Sequence, residues 1–531
     1  MTEKERSSVF VRESTGLVKN VSMFDAIALN VSNMSAGAAL ATIGFTMVAL
    51  PSSVSGVNLV GASLIAFILS IPEIVVYTMM TRRVSRTGGD YIWVSRTYGG
   101  LFGSALSFMG YTVETMAYLA LIALSAIFAI GSVGLFFYPS SSFSLGLALP
   151  GDLAGSTPYV QLVVGALIFA ILIGINIFKP KYGYRLVSVL ALVGVVAMVV
   201  GILALVSAGQ TGVANYMNGL SSAVNDPTIS YNAVASSYTG STFNWAGSLF
   251  LLPFFAIFVY PWLNAGPAVA SEIKGTRAIK WNVPIASFLV MILVTTAFGA
   301  MYYAGGFQFV TAALSNPTLV YTYSFNFWTL AMGAVNNTYV AWFLGIGWVL
   351  WTLAVLAYGI IVTSRYIFAQ AFDRFLPERL ATISPRYGSP VVTLLLELVV
   401  TVGLVAAGAV LYGGFQSLYA AVIASMIYFF FVGIAAVIHA FRNEKGTSKG
   451  ILSLSGGLMA IVFAFIVYQF LTNPTIWGTS ATALGIPGYE FAYIYVIASF
   501  VLGIVIYLAS KSYHKNKGIN IDLAYKEIPP D

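Results

Sequence analysis

Long apolar stretches separated by shorter polar connections make up almost the whole chain. A stretch of about 20 apolar residues is long enough to cross a bilayer as an α-helix. The pattern therefore predicts an all-α integral membrane protein with about twelve transmembrane helices. The predicted spans cover residues 22–50, 56–80, 101–133, 160–177, 186–206, 247–270, 283–304, 340–369, 391–411, 417–439, 451–471 and 491–508.

Positive charges are confined to every second connection between these spans. The 25 Lys and Arg residues fall into seven groups, at residues 4–19, 82–96, 179–185, 274–280, 365–386, 442–449 and 511–526. The remaining connections carry no Lys or Arg, and their acids include Asp152, Asp226 and Glu490. Because cytoplasmic loops are enriched in Lys and Arg, we expect a multi-pass protein of the cell (plasma) membrane with both termini in the cytoplasm.

Composition agrees with this assignment and argues against several other classes of protein. Hydrophobic residues make up 59% of the chain and charged residues only 8%, against about a quarter in soluble domains. Loops that face an anionic leaflet explain the net charge of +7, so it does not indicate a nucleic-acid partner. The chain has no cysteine, two histidines and no P-loop motif, which predicts no enzyme activity, no cofactor, no metal site and no direct use of ATP.

Two of the predicted spans are interrupted. The middle of the first span is a run of small and polar residues from Asn30 to Ala39, and the sixth span contains Pro261, Gly266 and Pro267. Proline removes an amide donor, and unwound backbone at membrane depth is tolerated only where it lines a cavity or is buried in protein. Interrupted segments at corresponding positions of two halves indicate a transport site. Ordinary kinked helices are the alternative interpretation.

The interrupted spans lie five spans apart, which predicts a 5+5 inverted repeat followed by two further helices. The expected organisation is a cytoplasmic tail at residues 1–21, a first repeat at 22–208, an extracellular loop at 209–245, a second repeat at 246–441, two additional helices at 450–510 and a cytoplasmic tail at 511–531. The two longest outer connections, residues 207–245 and 305–339, are expected to contain short helices that could act as lids, with plain surface loops as the alternative.

Three motifs on the basic connections carry a family resemblance. They are residues 88–91 (Gly-Gly-Asp-Tyr) after the second span, residues 271–274 (Ser-Glu-Ile-Lys) after the sixth, and residues 364–390 after the eighth, which contain Ser-Arg, Leu-Pro and Tyr-Gly-Ser-Pro. Together they resemble the amino acid–polyamine–organocation (APC) superfamily, most closely its amino acid transporters. The resemblance implies a LeuT-type fold and a permease for an amino acid or related amine. Such a permease works by alternating access, driven by an ion gradient or by exchange.

The resemblance also implies where a substrate binds. In the family, backbone amides of the first interruption bind the substrate carboxylate, which assigns this role to Ser35, Ala36, Gly37, Ala38 and Ala39. The start of a half-helix also attracts an anion on physical grounds, through unpaired amides and a positive dipole end. The family places the amine and the side-chain pocket at the second interruption, here Val259, Tyr260, Pro261, Trp262 and Asn264. Trp262 stands where the family has a glycine, and Asn264 where it has an acid.

Three acids, Glu73, Glu114 and Glu397, lie within predicted spans, where an ionised carboxylate costs at least a few kcal/mol. Glu114 is the candidate for proton coupling, because the third span lines the substrate path in the resembling fold. A neutral acid hydrogen-bonded between helices is the alternative role. Some relatives hold a lysine in the fifth span, but the aligned residue here is Gly194. Sodium could bind between carbonyls of the first span and hydroxyls of the eighth, which offers only Thr352 before Thr363 and Ser364. Coupling to H+, coupling to Na+ and exchange are all open.

Two other functions are compatible with the sequence. The same scaffold could act as an amino acid sensor without transport, although the tail after Lys511 is too short for a signalling domain. A twelve-span transporter built from two six-helix halves is the second alternative. That class usually has a long central cytoplasmic loop, and its breaks would not lie five spans apart. An amino acid and the lipid bilayer are the expected partners, and the sequence predicts no particular oligomeric state.

Overall fold

The computed structural model describes residues 10–11, 15–50, 56–148, 157–411, 421–473 and 488–530. Within these ranges lie eleven helices that are long and apolar enough to cross a membrane, and a shorter apolar helix, Trp245–Phe258, forms part of the sixth span. The same ranges contain no β-strand, only two isolated bridges. The prediction of an all-α membrane protein with about twelve spans is therefore confirmed.

The spans follow one another along the whole chain, and the longest connections precede the sixth and the eighth span. The first five are Met23–Asn33 with Ala36–Ala49, Leu59–Arg83, Gly100–Phe137, Pro158–Phe178 and Pro180–Ala223. The others are Trp245–Phe258, Thr276–Gly305, Thr338–Phe372, Val391–Val410, Ile423–Asn443, Gly446–Thr472 and Gly488–Lys515. Residue Glu490 falls in the first turn of the last helix. The predicted start of the tenth span at Ser417 and the predicted outer acid Asp152 lie outside the described residues.

The fifth span is longer than its hydropathy predicts. Non-helical backbone at Gly209, where φ is 56° and ψ is −164°, ends the first helix of this span, and a second helix extends it to Ala223. Small and polar residues are frequent in this extension, so hydropathy gives no signal for it. The extension packs on an outer helix, Phe327–Ala334, where Gly333 leaves room for the ring of Tyr216. Short helices of the outer connections are observed at Tyr231–Ser236, Phe307–Leu314 and Phe327–Ala334.

The interrupted first span lies at the centre of the helix bundle. In an apolar 18-residue stretch of this span, 94% is buried inside the protein, against 17% in the corresponding stretch of the last span, Tyr493–Lys515. Residues 251–270, which contain the second interruption, are all buried as well. Both interruptions are therefore enclosed by other helices, which is the environment that unwound backbone requires within a bilayer.

The end of the bundle that carries the basic connections, called the basic face below, is fastened by backbone hydrogen bonds. The amide of Val21 donates to the carbonyl of Glu272 at 3.0 Å, and the amide of Gly88 donates to that of Ala268 at 2.9 Å. Gly88 and Gly89 have φ values of 87° and 47°, which only glycine adopts readily. These bonds hold the entry to the first span and the second connection against the end of the sixth span.

Replacing Gly89 by alanine is expected to destabilise the fold by about 2–4 kcal/mol, through backbone strain and overpacking. The new Cβ would lie 2.9 Å from the carbonyl carbon of Pro267, at a φ of +47°. Gly446→Ala is the matched control, because Gly446 has a φ of +55° and nothing within 4 Å of an added Cβ. Thermal unfolding in detergent measures both variants, and equal losses would show that the contact with Pro267 is unimportant.

Candidate functional site

The two interruptions face each other in the centre of the bundle. Met34 and Ser35 separate the two helices of the first span, and residues 259–264 separate Leu252–Phe258 from Ala265–Ala268 in the sixth. A side-chain hydrogen bond joins them, in which Asn33 Nδ2 donates to Asn264 Oδ1 at 3.0 Å. Both asparagines are fully buried. The structure therefore brings the two predicted halves of the site into contact.

Ser35 precedes the second helix of the first span but does not cap it with its side chain. Its hydroxyl donates instead to the carbonyl of Phe258 at 3.0 Å and accepts a hydrogen bond from the phenol of Tyr118 at 2.6 Å. The first amides of an α-helix have no acceptor within the helix, and serine at this position commonly supplies one. Here the amides of Gly37 and Ala38 lie at the positive end of a helix dipole without that cap. The arrangement suits a carboxylate.

Trp262 lies within the second interruption, and its side chain folds back on the end of the helix Leu252–Phe258. Its indole Nε1 donates to the carbonyls of Ala256 and Ile257, at 3.0 and 2.9 Å. Its ring stacks on Tyr118, with 5.0 Å between ring centroids. The last carbonyls of a helix have no amide partner within it. Here Trp262 supplies a donor to two of these carbonyls, just before the predicted amine-binding segment that begins at Val259.

Tyr260 is directed away from the first interruption. Its hydroxyl bonds the hydroxyl of Ser63 in the second span at 2.7 Å, and its ring packs on Phe67 and Phe255. Val259 and Pro261 are buried in the same segment. The structure therefore places Asn264 and Trp262 nearest to the first interruption, and it directs the side chain of Tyr260 to the second span.

Two tryptophans that the sequence analysis missed enclose Gly37. Trp328, on the outer helix Phe327–Ala334, donates from Nε1 to the carbonyl of Gly37 at 3.0 Å. Trp351 of the eighth span lies so close that a Cβ on Gly37 would be 2.6 Å from its ring, and a Cβ on Gly194 would be 2.7 Å from the same ring. The outer connection therefore reaches the first interruption directly, and an indole ring separates the first span from the fifth.

The family described as amino acid permease matches residues 21–501. The chain belongs to the amino acid permease family. No curated protein matches it. The match confirms the resemblance to the APC superfamily, and it indicates a membrane transporter rather than an enzyme, with an amino acid as the class of substrate.

The buried acids of the permease lie around the site rather than in it. Glu114 follows a π-helical turn, Phe108–Val113, and its Oε2 accepts from the hydroxyl of Ser425 at 2.7 Å. It lies one helical turn from Tyr118, which contacts Ser35. Glu73 lines a cavity of about 30 Å³ between the second, sixth and eleventh spans. Glu397 is buried, and neither of its carboxylate oxygens has a hydrogen-bond partner among the described residues.

Span-eight hydroxyls were the predicted sodium ligands. The hydroxyls of Thr352 and Ser364 donate to carbonyls of their own helix, at 2.8 and 2.6 Å. Thr363 is buried, and its hydroxyl has no hydrogen-bond partner within the described part of the chain. A donated hydrogen leaves lone pairs on a hydroxyl oxygen, so all three retain acceptor capacity for a cation.

Two buried ion pairs join neighbouring elements at the basic face of the permease. Arg365 donates through two nitrogens to Glu272, at 2.7 and 3.1 Å, and the phenol of Tyr184 donates to the same carboxylate at 2.9 Å. Arg96 is likewise paired with Asp373. The first pair joins the eighth span to the end of the sixth, and the second joins the helix Asp90–Tyr98 to the end of the eighth.

Proposed function

We propose that this permease is a secondary active transporter that moves an amino acid or a related amine by alternating access. The observation that carries the proposal is the uncapped helix start at Ser35, which faces the second interruption in the middle of the bundle. Membership of the amino acid permease family supports it. The basic face is proposed to be cytoplasmic, with both termini on that side, because it carries the Lys and Arg groups.

The substrate carboxylate is proposed to bind the backbone of residues 35–39. Its oxygens would accept hydrogen bonds from the amides of Gly37 and Ala38, which have no acceptor within their helix. Charged hydrogen bonds of this kind contribute about 1.5–3 kcal/mol each. Glycine at position 37 leaves room for the ring of Trp351 beside the helix start, and alanine at 38 and 39 keeps the amide donors.

The substrate amine is proposed to lie between the two interruptions, near Asn264 and the carbonyl of Phe258. Asn33 Oδ1 is a further acceptor there, because it is buried and has no hydrogen-bond partner in the described ranges. Trp262 and Trp351 fill much of the adjoining space. Their size favours substrates with small side chains, since a pocket lined by two indole rings has little free volume beside the backbone-binding groups.

The coupling ion is proposed to be H+ or Na+, with exchange as the third mode. Glu114 supports a proton, because this buried acid lies one turn from Tyr118 and accepts a hydrogen bond from a neutral hydroxyl of the tenth span. Thr352, Thr363 and Ser364 support sodium through their free lone pairs. A gradient experiment distinguishes these modes.

Uptake by proteoliposomes tests the proposal. Purified permease is reconstituted, and radiolabelled amino acids with small, large, acidic and basic side chains are supplied under an imposed pH gradient, an imposed sodium gradient or internal amino acid. We expect saturable uptake of a small neutral amino acid under at least one gradient, and weaker uptake of aromatic ones. Binding without uptake would indicate the sensor, and the absence of both would contradict the proposal.

A further inference from the structure

Asp90 is a third buried acid at the basic face, and it has no ion pair within the described residues. It is the first residue of the helix Asp90–Tyr98, and its side chain is fully enclosed. Its Oδ2 accepts a hydrogen bond from the phenol of Tyr77 at 2.5 Å, and its Oδ1 accepts one from the phenol of Tyr366. It forms no ion pair with any residue that the structure describes, in contrast to Asp373 nearby.

The groups that face Asp90 come from four spans, and all of them are phenols or acids. Tyr77 and Glu73 belong to the second span, Tyr111 to the third, Tyr366 to the eighth and Tyr428 to the tenth. Burial raises the pKa of Asp90 to about 6, although hydrogen bonds from Tyr366 and Tyr77 favour the ionised form. The carboxyl group can therefore change its charge near neutral pH.

Asp90 is connected to the interrupted spans by a chain of hydrogen bonds. The hydroxyl of Tyr366, which donates to Asp90, also accepts from Asn264 Nδ2 at 3.2 Å. Asn264 Oδ1 in turn accepts from Asn33 Nδ2 at 3.0 Å. The chain ends at Asn33 Oδ1, which is buried and has no partner among the residues that the structure describes.

The charge of Asp90 fixes the direction of this chain. An ionised carboxylate can only accept, so Tyr366 donates to it and keeps a lone pair for Asn264. A protonated carboxyl can donate to Tyr366, whose own hydrogen then turns towards Asn264. The side-chain amides of Asn264 and Asn33 must then rotate, so that Asn264 Oδ1 faces Tyr366 and Asn33 Oδ1 faces Asn264 Nδ2. The free group of Asn33 changes from the acceptor Oδ1 to the donor Nδ2.

We propose that Asp90 is a proton-binding positioning residue whose charge decides whether Asn33 offers an acceptor or a donor to the substrate amine. The idea rests on the proposed function, because the amine must lie between the interruptions. A proton from the aqueous phase at the basic face binds a carboxylate oxygen of Asp90, no covalent bond breaks, and the hydrogen bonds reverse. Protonation of Asp90 then lowers the affinity for the amine, and amine binding lowers the affinity of Asp90 for a proton by the same factor.

Asp90→Asn tests the proton site without reference to transport. Infrared difference spectra of the purified permease, recorded as pH is lowered from about 8 to about 5, should show a protonated carboxyl band that titrates near pH 6 and is absent from the variant. A band that persists unchanged in Asp90→Asn would overturn the proposal. Because this measurement needs no substrate, its result stands even if no amino acid is transported.

The coupling is tested by the dissociation constant of the transported amino acid, measured at the same pH values. In the wild type it should fall by up to about tenfold per pH unit as Asp90 ionises. Asp90→Asn should lose this dependence. Weaker binding at higher pH, or an unchanged profile in Asp90→Asn, would overturn the coupling. A wild type that titrates at Asp90 but binds no amino acid would refute the proposed function and the coupling together.

Two tyrosine variants test whether Tyr366 transmits the charge of Asp90 to Asn264 or, like Tyr77, only stabilises the carboxylate. Tyr77→Phe and Tyr366→Phe each remove one phenol donor from Asp90 at a fully buried position, but only Tyr366 contacts Asn264. Both should raise the midpoint of the carboxyl titration, since each removes a bond to the ionised form. Only Tyr366→Phe should abolish the pH dependence of amino acid binding. Identical binding profiles would show that no signal passes through Tyr366.

Discussion

Gly37→Val is expected to abolish amino acid uptake. The added Cβ would be 2.6 Å from the ring of Trp351, so the helix start that offers the amides of Gly37 and Ala38 must shift out of its binding position. Loss of two charged hydrogen bonds would weaken binding by about 3 kcal/mol or more, which is at least about 100-fold. Uptake and equilibrium binding by the reconstituted variant, with size-exclusion profiles to confirm folding, measure the effect.

Gly194→Val is the matched control for Gly37→Val. An added Cβ at Gly194 would press on the same ring of Trp351 from the fifth span, at 2.7 Å, without approaching the amides of the first interruption. We expect it to affect stability and to leave amino acid binding within about tenfold of the wild type. Uptake at the wild-type level by Gly37→Val, or equal loss of binding in both variants, would contradict the proposed carboxylate site.

Glu272→Gln is expected to destabilise the permease by about 3–5 kcal/mol, because it leaves the charge of Arg365 buried without its partner. Both side chains are almost fully enclosed, with 4% and 3% of their area exposed. A marked fall in thermal stability in detergent is the expected result. The double variant Glu272→Gln with Arg365→Met should recover much of the loss, since removal of both charges leaves no unpaired ion.

Asp522→Asn provides the control for Glu272→Gln. Asp522 pairs with Lys511 at 2.6 Å, but these side chains are 37% and 46% exposed. Exposed pairs of this kind contribute at most about 1 kcal/mol, so the change in unfolding temperature should be small. Equal losses of stability in the two single variants would show that burial of the Glu272–Arg365 pair does not increase the cost of breaking it.

Much of the architecture could be predicted from the sequence because the bilayer imposes strong constraints on it. Apolar length identified the spans, a run of small and polar residues identified the first interruption, and Pro261 and Pro267 identified the second. Short helices were predicted in the outer connection 207–245, but the position of the one that reaches Ala223 was not, because a helix outside the membrane needs no apolar stretch. Its length depends on packing against Phe327–Ala334, which lies more than a hundred residues further along the chain.

The candidate site could be predicted only as two backbone segments. The residues that complete it, Tyr118, Trp328 and Trp351, come from three other parts of the chain, and buried aromatic residues in a membrane protein are too common to single out. Asp90 was visible in the Gly-Gly-Asp-Tyr motif, but its link to Asn264 through Tyr366 depends on tertiary contacts. Hydrogen bonds between distant buried side chains leave no periodic signal in a sequence.

A structure of the permease with its transported amino acid bound, determined in a lipid environment, tests the central claim most directly. The account predicts that the carboxylate oxygens lie about 3 Å from the amide nitrogens of Gly37 and Ala38. It also predicts that the amine lies between the two interruptions, near Asn264. An amino acid bound elsewhere, or a first and a sixth span wound as continuous helices around it, would contradict the account.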